Sequence, residues 1–324
     1  MKELVYKAER LALKSLRRLL RCGADSSVKT GSMTGSELNA AISDAIRGGW
    51  PYMVARFGSC ELDAGLYPYV LSKPLHTRYK WFLRDKVPSI HWDEGHAAKL
   101  MNPLCNNAGF FPQQTVLMRK FSELMVGDVP ELDICCRKWG FEELFEDIYS
   151  SSIRYAGLDE LEPYDYDSPW SAALKGKKVL VVHPFADSIE KQYSRRELLW
   201  ENPDVLPEFT LSTIKAVQTI AGQPSEFSDW FQALDYMKSR MDATDYDVAI
   251  IGCGAYGFHL AAHAKRTGHT AIHLGGATQI LFGIKGRRWD NLPAVSKFYN
   301  GYWVYPSADE TPRNSKAVEG GCYW

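Results

Sequence analysis

Long apolar runs are missing from this chain of 324 residues. No stretch approaches the roughly 18 consecutive apolar residues that a membrane-crossing helix needs, so none is expected. The N-terminus lacks the uninterrupted apolar core of a secretion signal, and a cytoplasmic location is expected. An excess of charge of either sign is also missing. The 38 Lys and Arg face 39 Asp and Glu, a formal net charge of −1 at pH 7, with a pI near 6.7. That balance leaves no electrostatic footprint for nucleic acid, and no such partner is expected. Cysteine occurs seven times, an odd number with no C-x-x-C pair. Neither a disulfide framework nor a zinc site is indicated, and a reducing compartment fits. No internal repeat or long low-complexity segment is visible.

Aromatic residues are plentiful, with 10 Trp and 17 Tyr. Most are expected to serve packing, although flat amphipathic rings also suit sugar or base stacking. Residues 2–22 read as a basic amphipathic helix, with Leu4, Leu11, Leu16, Leu19 and Leu20 at roughly helical spacing among seven Lys and Arg. Such a helix either packs its leucines on its own domain or lies at an anionic lipid surface or partner, a peripheral contact at the inner face of the membrane. The leucines alone explain the helix, which favours the first reading. A Ser/Gly-rich linker follows to about residue 35, and Thr34 or Ser36 caps a helix that ends at Gly48-Gly49.

Four short apolar runs end in turns that carry Gly, His or Glu. They are Val54 to Glu61, Val179 to Phe185, Val248 to Gly257, and Thr270 to Thr278. Continuous β-branched runs fit strands buried on both faces, as in a parallel sheet covered by helices. Helical patterns at 188–199, 227–241 and 256–266 alternate with strands at 178–183, 209–216, 247–252 and 270–274. The expected fold is α/β, a Rossmann-like doubly wound, mostly parallel sheet. Its division is a helix and linker over 1–35, an α/β domain over 36–305, and a tail over 306–324. A helical insertion is expected over about 81–155, and the acidic stretch 159–170 reads as a linker. The tail has no assigned place.

Ligands of open α/β sheets bind at the carboxyl edge of the strands, so the turns carry the candidate chemistry. Gly252, Gly254 and Gly257 match G-x-G-x-x-G after a strand and before a helix, with Tyr256 inside the motif. A dinucleotide fold also expects an acid about 20 residues on. Here the next strand ends Ile272-His273-Leu274-Gly275-Gly276, which weighs against an NAD-dependent sugar-modifying enzyme and leaves a nucleotide-diphosphate cradle. A tight turn that needs glycines for packing alone is nearly as good a reading. Gly275, Gly276, Thr278 and Gln279 would face the same crevice. Arg56 ends the first strand, and Gly58, Ser59 and Glu61 open the next helix. Glu61 suits a divalent cation or a general base, with Asp63 two residues on as a second acid. His183 at a strand end, with Asp187 downstream, offers a proton donor or acceptor. Structural readings compete at each position, namely a helix-start acid for Glu61 and a satisfied histidine for His183.

Arg56-Phe57-Gly58-x-x-Glu61, His183-Pro184-Phe185, the Gly252-x-Gly254 turn and Leu274-Gly275-Gly276 together resemble the GT-D glycosyltransferases, first described as a domain of unknown function in bacterial glycan-assembly clusters. The resemblance is clearest over about residues 50–290. It implies transfer of a sugar from a nucleotide-sugar donor, most simply a UDP-sugar, to a glycan or lipid-linked acceptor in surface-polysaccharide assembly. In that family an Arg-Phe-Gly-Asp-x-Glu run supplies a D-x-E motif for a metal such as Mn or Mg. Here Ser59 stands where the family carries aspartate. The resemblance then leaves three outcomes: Glu61 with Asp63 or another acid holding the metal, a metal-independent enzyme, or a catalytically degenerate nucleotide-sugar-binding or scaffold protein. Catalytic candidates are Glu61, His183 and Asp187. Donor contacts are expected from Arg56, Gly58, Ser59, Gly252, Gly254, Tyr256, Gly257, Gly275, Gly276, Thr278 and Gln279.

Overall fold

The computed structural model describes residues 2–19, 33–87 and 89–324. Cys22, Pro88 and most of the expected linker lie outside the described residues. Seven strands form one sheet: β1 (Tyr52–Arg56), β2 (Ile134–Arg137), β3 (Arg154–Gly157), β4 (Lys178–His183), β5 (Thr210–Lys215), β6 (Val248–Ile251) and β7 (Thr270–His273). Their order is β3-β2-β1-β7-β6-β4-β5, and all six pairings are parallel. Helices cover both faces, so the chain has an α/β Rossmann-like fold.

Among the described residues the α-helices are α1 (Lys2–Leu19), α2 (Gly35–Gly48), α3 (Ser59–Ser72), α4 (Leu75–Leu83), α5 (Glu94–Ala108) and α6 (Thr115–Asp128). They continue with α7 (Ala186–Tyr193), α8 (Trp230–Asp242), α9 (Gly257–Arg266) and the short α10 (Ala277–Leu281), α11 (Arg287–Asp290) and α12 (Pro293–Ser296). None is long and apolar enough to cross a membrane.

Side-chain alternation along each strand builds two cores, one on either side of the sheet. Met53, Ala55, Leu180 and Val182 face a core shared with α3, α5, α6, α8 and α9. Val54, Val179, Val181 and Ile272 face the other, shared with α2, α7 and α10. This double burial is why the sequence runs are continuously apolar rather than alternating. At the start of α2 the cap is Thr34, whose Oγ1 accepts from the Glu37 N–H at 3.3 Å. The Glu37 carboxylate in turn accepts from the Thr34 N–H at 2.7 Å. The helix ends on Gly49 at φ 64°, a left-handed residue that glycine adopts without strain.

Two expectations need correction, and the unassigned tail finds a place. The stretch 81–155 is not a purely helical insertion, because β2 and the start of β3 fall inside it and extend the sheet from β1. The stretch 159–170 is more than a linker. It forms two 3₁₀ turns and leads to Trp170, which is fully buried with its indole N–H on the Leu161 carbonyl at 2.9 Å. The 306–324 segment returns to the sheet and packs Val318 and Trp324 into the second core. Buried Glu310 fixes it there by accepting from the Ser188 N–H at 3.0 Å on α7.

Candidate active site

The carboxyl ends of β1, β7, β6 and β4 are neighbours in the sheet. They open onto one cleft of about 640 Å³, counting its mouth. Arg56 comes from β1, Glu61 from the first turn of α3, and His183 from the end of β4. Gly252, Cys253 and Gly254 follow β6, while His273, Gly275, Gly276 and Gln279 come from β7 and beyond. The four apolar runs thus deliver their polar ends to a single place.

Glycines at this rim make room for the protein's own side chains. A Cβ on Gly58 would lie 2.6 Å from Glu61 Cδ, and one on Gly257 would lie 2.6 Å from His273 Cδ2. A Cβ on Gly252 would lie 2.6 Å from Thr278 Oγ1 and 3.0 Å from the His183 ring. Gly275, at φ +65°, lets Arg56 Cδ approach to 3.4 Å of the position a Cβ would take. Gly254, at φ +56°, would drive a side chain into the Ala108 carbonyl at 2.5 Å. The G-x-G-x-x-G turn is therefore closely packed by protein atoms. It enters α9 through a 3₁₀ turn, Gly254–Tyr256, rather than directly. Gly252 and Gly254 line the cleft as well, whereas Gly257 does not.

Both cleft histidines are neutral. Burial lowers the His183 pKa to about 3. Its Nδ1 accepts from the Phe185 N–H at 3.0 Å, so the ring proton resides on Nε2. His183 is accordingly a hydrogen-bond donor to the cleft and not a base. Burial, aided by the Arg56 charge, also lowers His273 to about 3. There the Nδ1–H donates to the Arg56 carbonyl at 3.0 Å, which leaves a lone pair on Nε2. Glu61 moves the other way. Burial pushes its carboxyl up, against its own backbone N–H and the Arg56 charge.

Gln279 is almost fully buried. Its amide nitrogen donates to the Lys285 carbonyl at 2.9 Å and reaches the Tyr323 carbonyl at 3.3 Å. Its Oε1 has no partner among the described residues. A buried acceptor with nothing to accept from calls for a donor, from a ligand or an ordered water.

The remaining expected site residues lie elsewhere. Gly58 sits behind Glu61, and Ser59 is exposed at the start of α3 outside the cleft. Asp63 lines a different cavity, of about 780 Å³, with Leu66, Tyr67, Val70 and Leu100. A metal pair of Glu61 and Asp63 is therefore not formed, because two residues of helical rotation part the carboxylates. Asp187 is exposed and pairs with Lys215 at 2.6 Å. Tyr256 is buried against Trp230, with ring centroids 5.0 Å apart. Gly257 lies beneath His273, and Thr278 is buried without lining the cleft.

Other contributors carried no expectation. Asn107 at the end of α5, Gln218 and Ile220 after β5, and Tyr323 and Trp324 from the tail all line the cleft. His273 could have been singled out by the argument applied to His183, since both end a buried strand. The tail and the α5 end gave no such signal. Among the described residues, no group of three or more His, Cys, Asp or Glu is placed to hold a metal ion.

No family model matches this chain. No curated protein matches it either. A solved structure described as "Selenomethionine substituted structure of domain of unknown function 1792 (DUF1792)" is similar at 12% identity, over 75% of this chain and 83% of that one, with a TM-score of 0.34. A likeness at that score decides neither fold nor function, and the site has to be read from its own chemistry.

Proposed function

We propose that this protein transfers a sugar from a nucleoside-diphosphate donor, a UDP-sugar being the first to test, to a hydroxyl of a glycan or lipid-linked acceptor. The observation that carries this reading is the makeup of one cleft. A cation (Arg56), a carboxylate (Glu61), a neutral N–H donor (His183) and an unpartnered buried acceptor (Gln279 Oε1) meet at the carboxyl edge of a parallel sheet. Sugar transfer requires charge stabilisation of the departing diphosphate, hydroxyl recognition and proton removal from the acceptor. Each requirement has a matching group.

Arg56 and the His183 Nε2–H face the developing charge on the diphosphate. Arginine suits this position because its planar guanidinium meets phosphate oxygens in pairs. The acceptor oxygen forms its bond to the anomeric carbon as the carbon–phosphate-oxygen bond breaks, and that electron pair leaves with the diphosphate. The acceptor proton passes to the Glu61 carboxylate, whose upward-shifted pKa brings its basicity nearer neutrality. Gln279 Oε1 accepts from a hydroxyl of the donor.

A divalent cation does not fit this set of donors. Glu61 folds back over Gly58, and among the described residues no second acidic side chain lines the cleft with it. Ser59 lies outside the cleft, and Asp63 faces another cavity. Hard cations need several oxygen ligands, and the mechanism above uses none.

The test is a thermal-shift panel of nucleoside diphosphates and nucleotide sugars, followed by a transfer assay with the best donor. A ligand that binds only the folded state raises stability by RT ln(1 + [L]/Kd). Stabilisation with release of nucleoside diphosphate on adding acceptor supports the reading. Stabilisation with neither hydrolysis nor transfer replaces it with a nucleotide-sugar-binding scaffold, and no stabilisation by any member ends it.

A further inference from the structure

Helix α1 turns its apolar stripe away from the protein. The side that meets the body is polar and aromatic: the Tyr6 ring stacks on His91 at 4.0 Å between centroids, and Glu9 meets His91 Nε2 at 2.8 Å. Tyr79 donates to Glu9. Arg17 pairs with Asp85 and lies over the Phe82 ring. Leu13 alone among the described leucines of α1 packs on the core.

Leu11, Leu16 and Leu19 are 67%, 41% and 81% exposed. At 100° per residue these three fall within one arc, which Ala8, Ala12 and Ser15 complete, and all three of these are exposed as well. Single exposed leucines are ordinary, but a continuous stripe along one helix is not. The sequence of α1 carries six Lys and Arg against Glu3 and Glu9. The neighbouring α4 adds exposed Lys80, and exposed Arg84 follows at its C-cap. An apolar stripe bordered by positive charge is complementary to a surface that is negatively charged outside and hydrocarbon beneath.

We infer that α1 docks this protein on an anionic lipid surface, with Leu11, Leu16 and Leu19 entering the acyl boundary and the basic side chains at the headgroups. Positive charge decides between lipid and a second copy of this chain. Two α1 helices packed stripe to stripe would bring their basic borders together, whereas anionic headgroups neutralise them. The inference does not depend on what the cleft binds.

The test is flotation of the full chain with vesicles of phosphatidylcholine alone and of phosphatidylcholine mixed with phosphatidylglycerol, at low and high salt. The chain should float with the mixed vesicles only, and less at high salt. The triple variant Leu11→Glu, Leu16→Glu, Leu19→Glu should lose at least about 10-fold in partitioning with an unchanged circular-dichroism spectrum and melting temperature. Absence of binding to the anionic vesicles overturns the inference. So does equal binding by the triple variant, or a wild-type dimer that the variant dissociates while vesicle binding stays the same.

Discussion

The Phe185 amide donates its hydrogen to Nδ1 of His183 at 3.0 Å, and this one bond sets the tautomer of the histidine that β4 brings to the cleft. A backbone N–H two residues on cannot move away without unwinding the entry to α7. The proton is held on Nε2, and His183 presents a donor whatever enters the site. A neutral imidazole used in this way polarises an oxygen without acting as a base.

Acid should destabilise the protein through the two buried imidazoles. His183 and His273 bind a proton near 6.5 when unfolded but only near 3 when folded. Between those values the unfolded chain holds more protons, so stability is lost as pH falls. Each imidazole contributes a slope of up to about 1.4 kcal/mol per pH unit. Glu61 opposes this, since its raised folded pKa makes stability fall as pH rises above 4.5 through that raised value. Urea denaturation at several pH values between 4 and 6, on wild type and His183→Gln, isolates one histidine. Equal slopes for the two proteins would contradict the buried, neutral assignment.

The rim glycines should tolerate no side chain. Gly252→Ala places a Cβ 2.6 Å from Thr278 Oγ1 and against the Gly275 carbonyl, and backbone cannot swing aside as a side chain can. A loss of about 1–3 kcal/mol is expected. Gly127 near the end of α6 has nothing within 4 Å of its Cβ position, so Gly127→Ala should gain about 0.4–1 kcal/mol. Denaturation midpoints that move the same way for both variants would refute the packing account.

Arg56 and Glu61 should separate binding from chemistry. Arg56→Ala removes charge-assisted bonds worth about 1.5–3 kcal/mol, so nucleoside-diphosphate affinity should fall by roughly 10-fold to 150-fold, read by titration calorimetry. Glu61→Gln should keep that affinity within about 3-fold and lower transfer by about 10²–10⁴-fold. Should Glu61→Gln transfer sugar at the wild-type rate, the base lies elsewhere.

Gln279→Leu tests hydroxyl recognition. The substitution removes Oε1 together with the amide that holds the Lys285 and Tyr323 carbonyls. Affinity for a nucleotide sugar should fall by about 5–30-fold. Because the variant also loosens the tail, its melting temperature without ligand must be measured beside it. An affinity unchanged from wild type would leave Oε1 with a water instead.

Chelation offers an independent check on the donor set. Nucleotide-sugar affinity and transfer rate should be the same in EDTA as in Mg²⁺ or Mn²⁺. A rate that collapses in EDTA and returns with either ion would overturn the metal-free mechanism.

The strands β1, β4, β6 and β7 were legible in the sequence because each is buried on both faces and reads as an unbroken apolar run. The same burial marks them as neighbours at the centre of a parallel sheet, which is why their ends meet. Strands β2 and β3 were not legible. They are as short as β6 and β7, but Ile-Cys-Cys-Arg and Arg-Tyr-Ala-Gly hold one β-branched residue between them and are set among helical patterns.

Local pattern fixed most of the strands and helices and the polar residues that end each central strand, and it narrowed the cap of α2 to Thr34 or Ser36, of which the structure uses Thr34. Tertiary structure alone decided which of those residues share a cleft. It brought His273, Gln218, Tyr323 and Trp324 in, and it sent Asp63, Asp187 and Tyr256 away. It also turned Leu11, Leu16 and Leu19 of α1 outward, where the leucine pattern alone favours the domain's own core. The reason is physical. Periodicity records how deeply a residue is buried along its own element, but the direction a side chain faces depends on the elements that pack around it, and those come from distant parts of the chain.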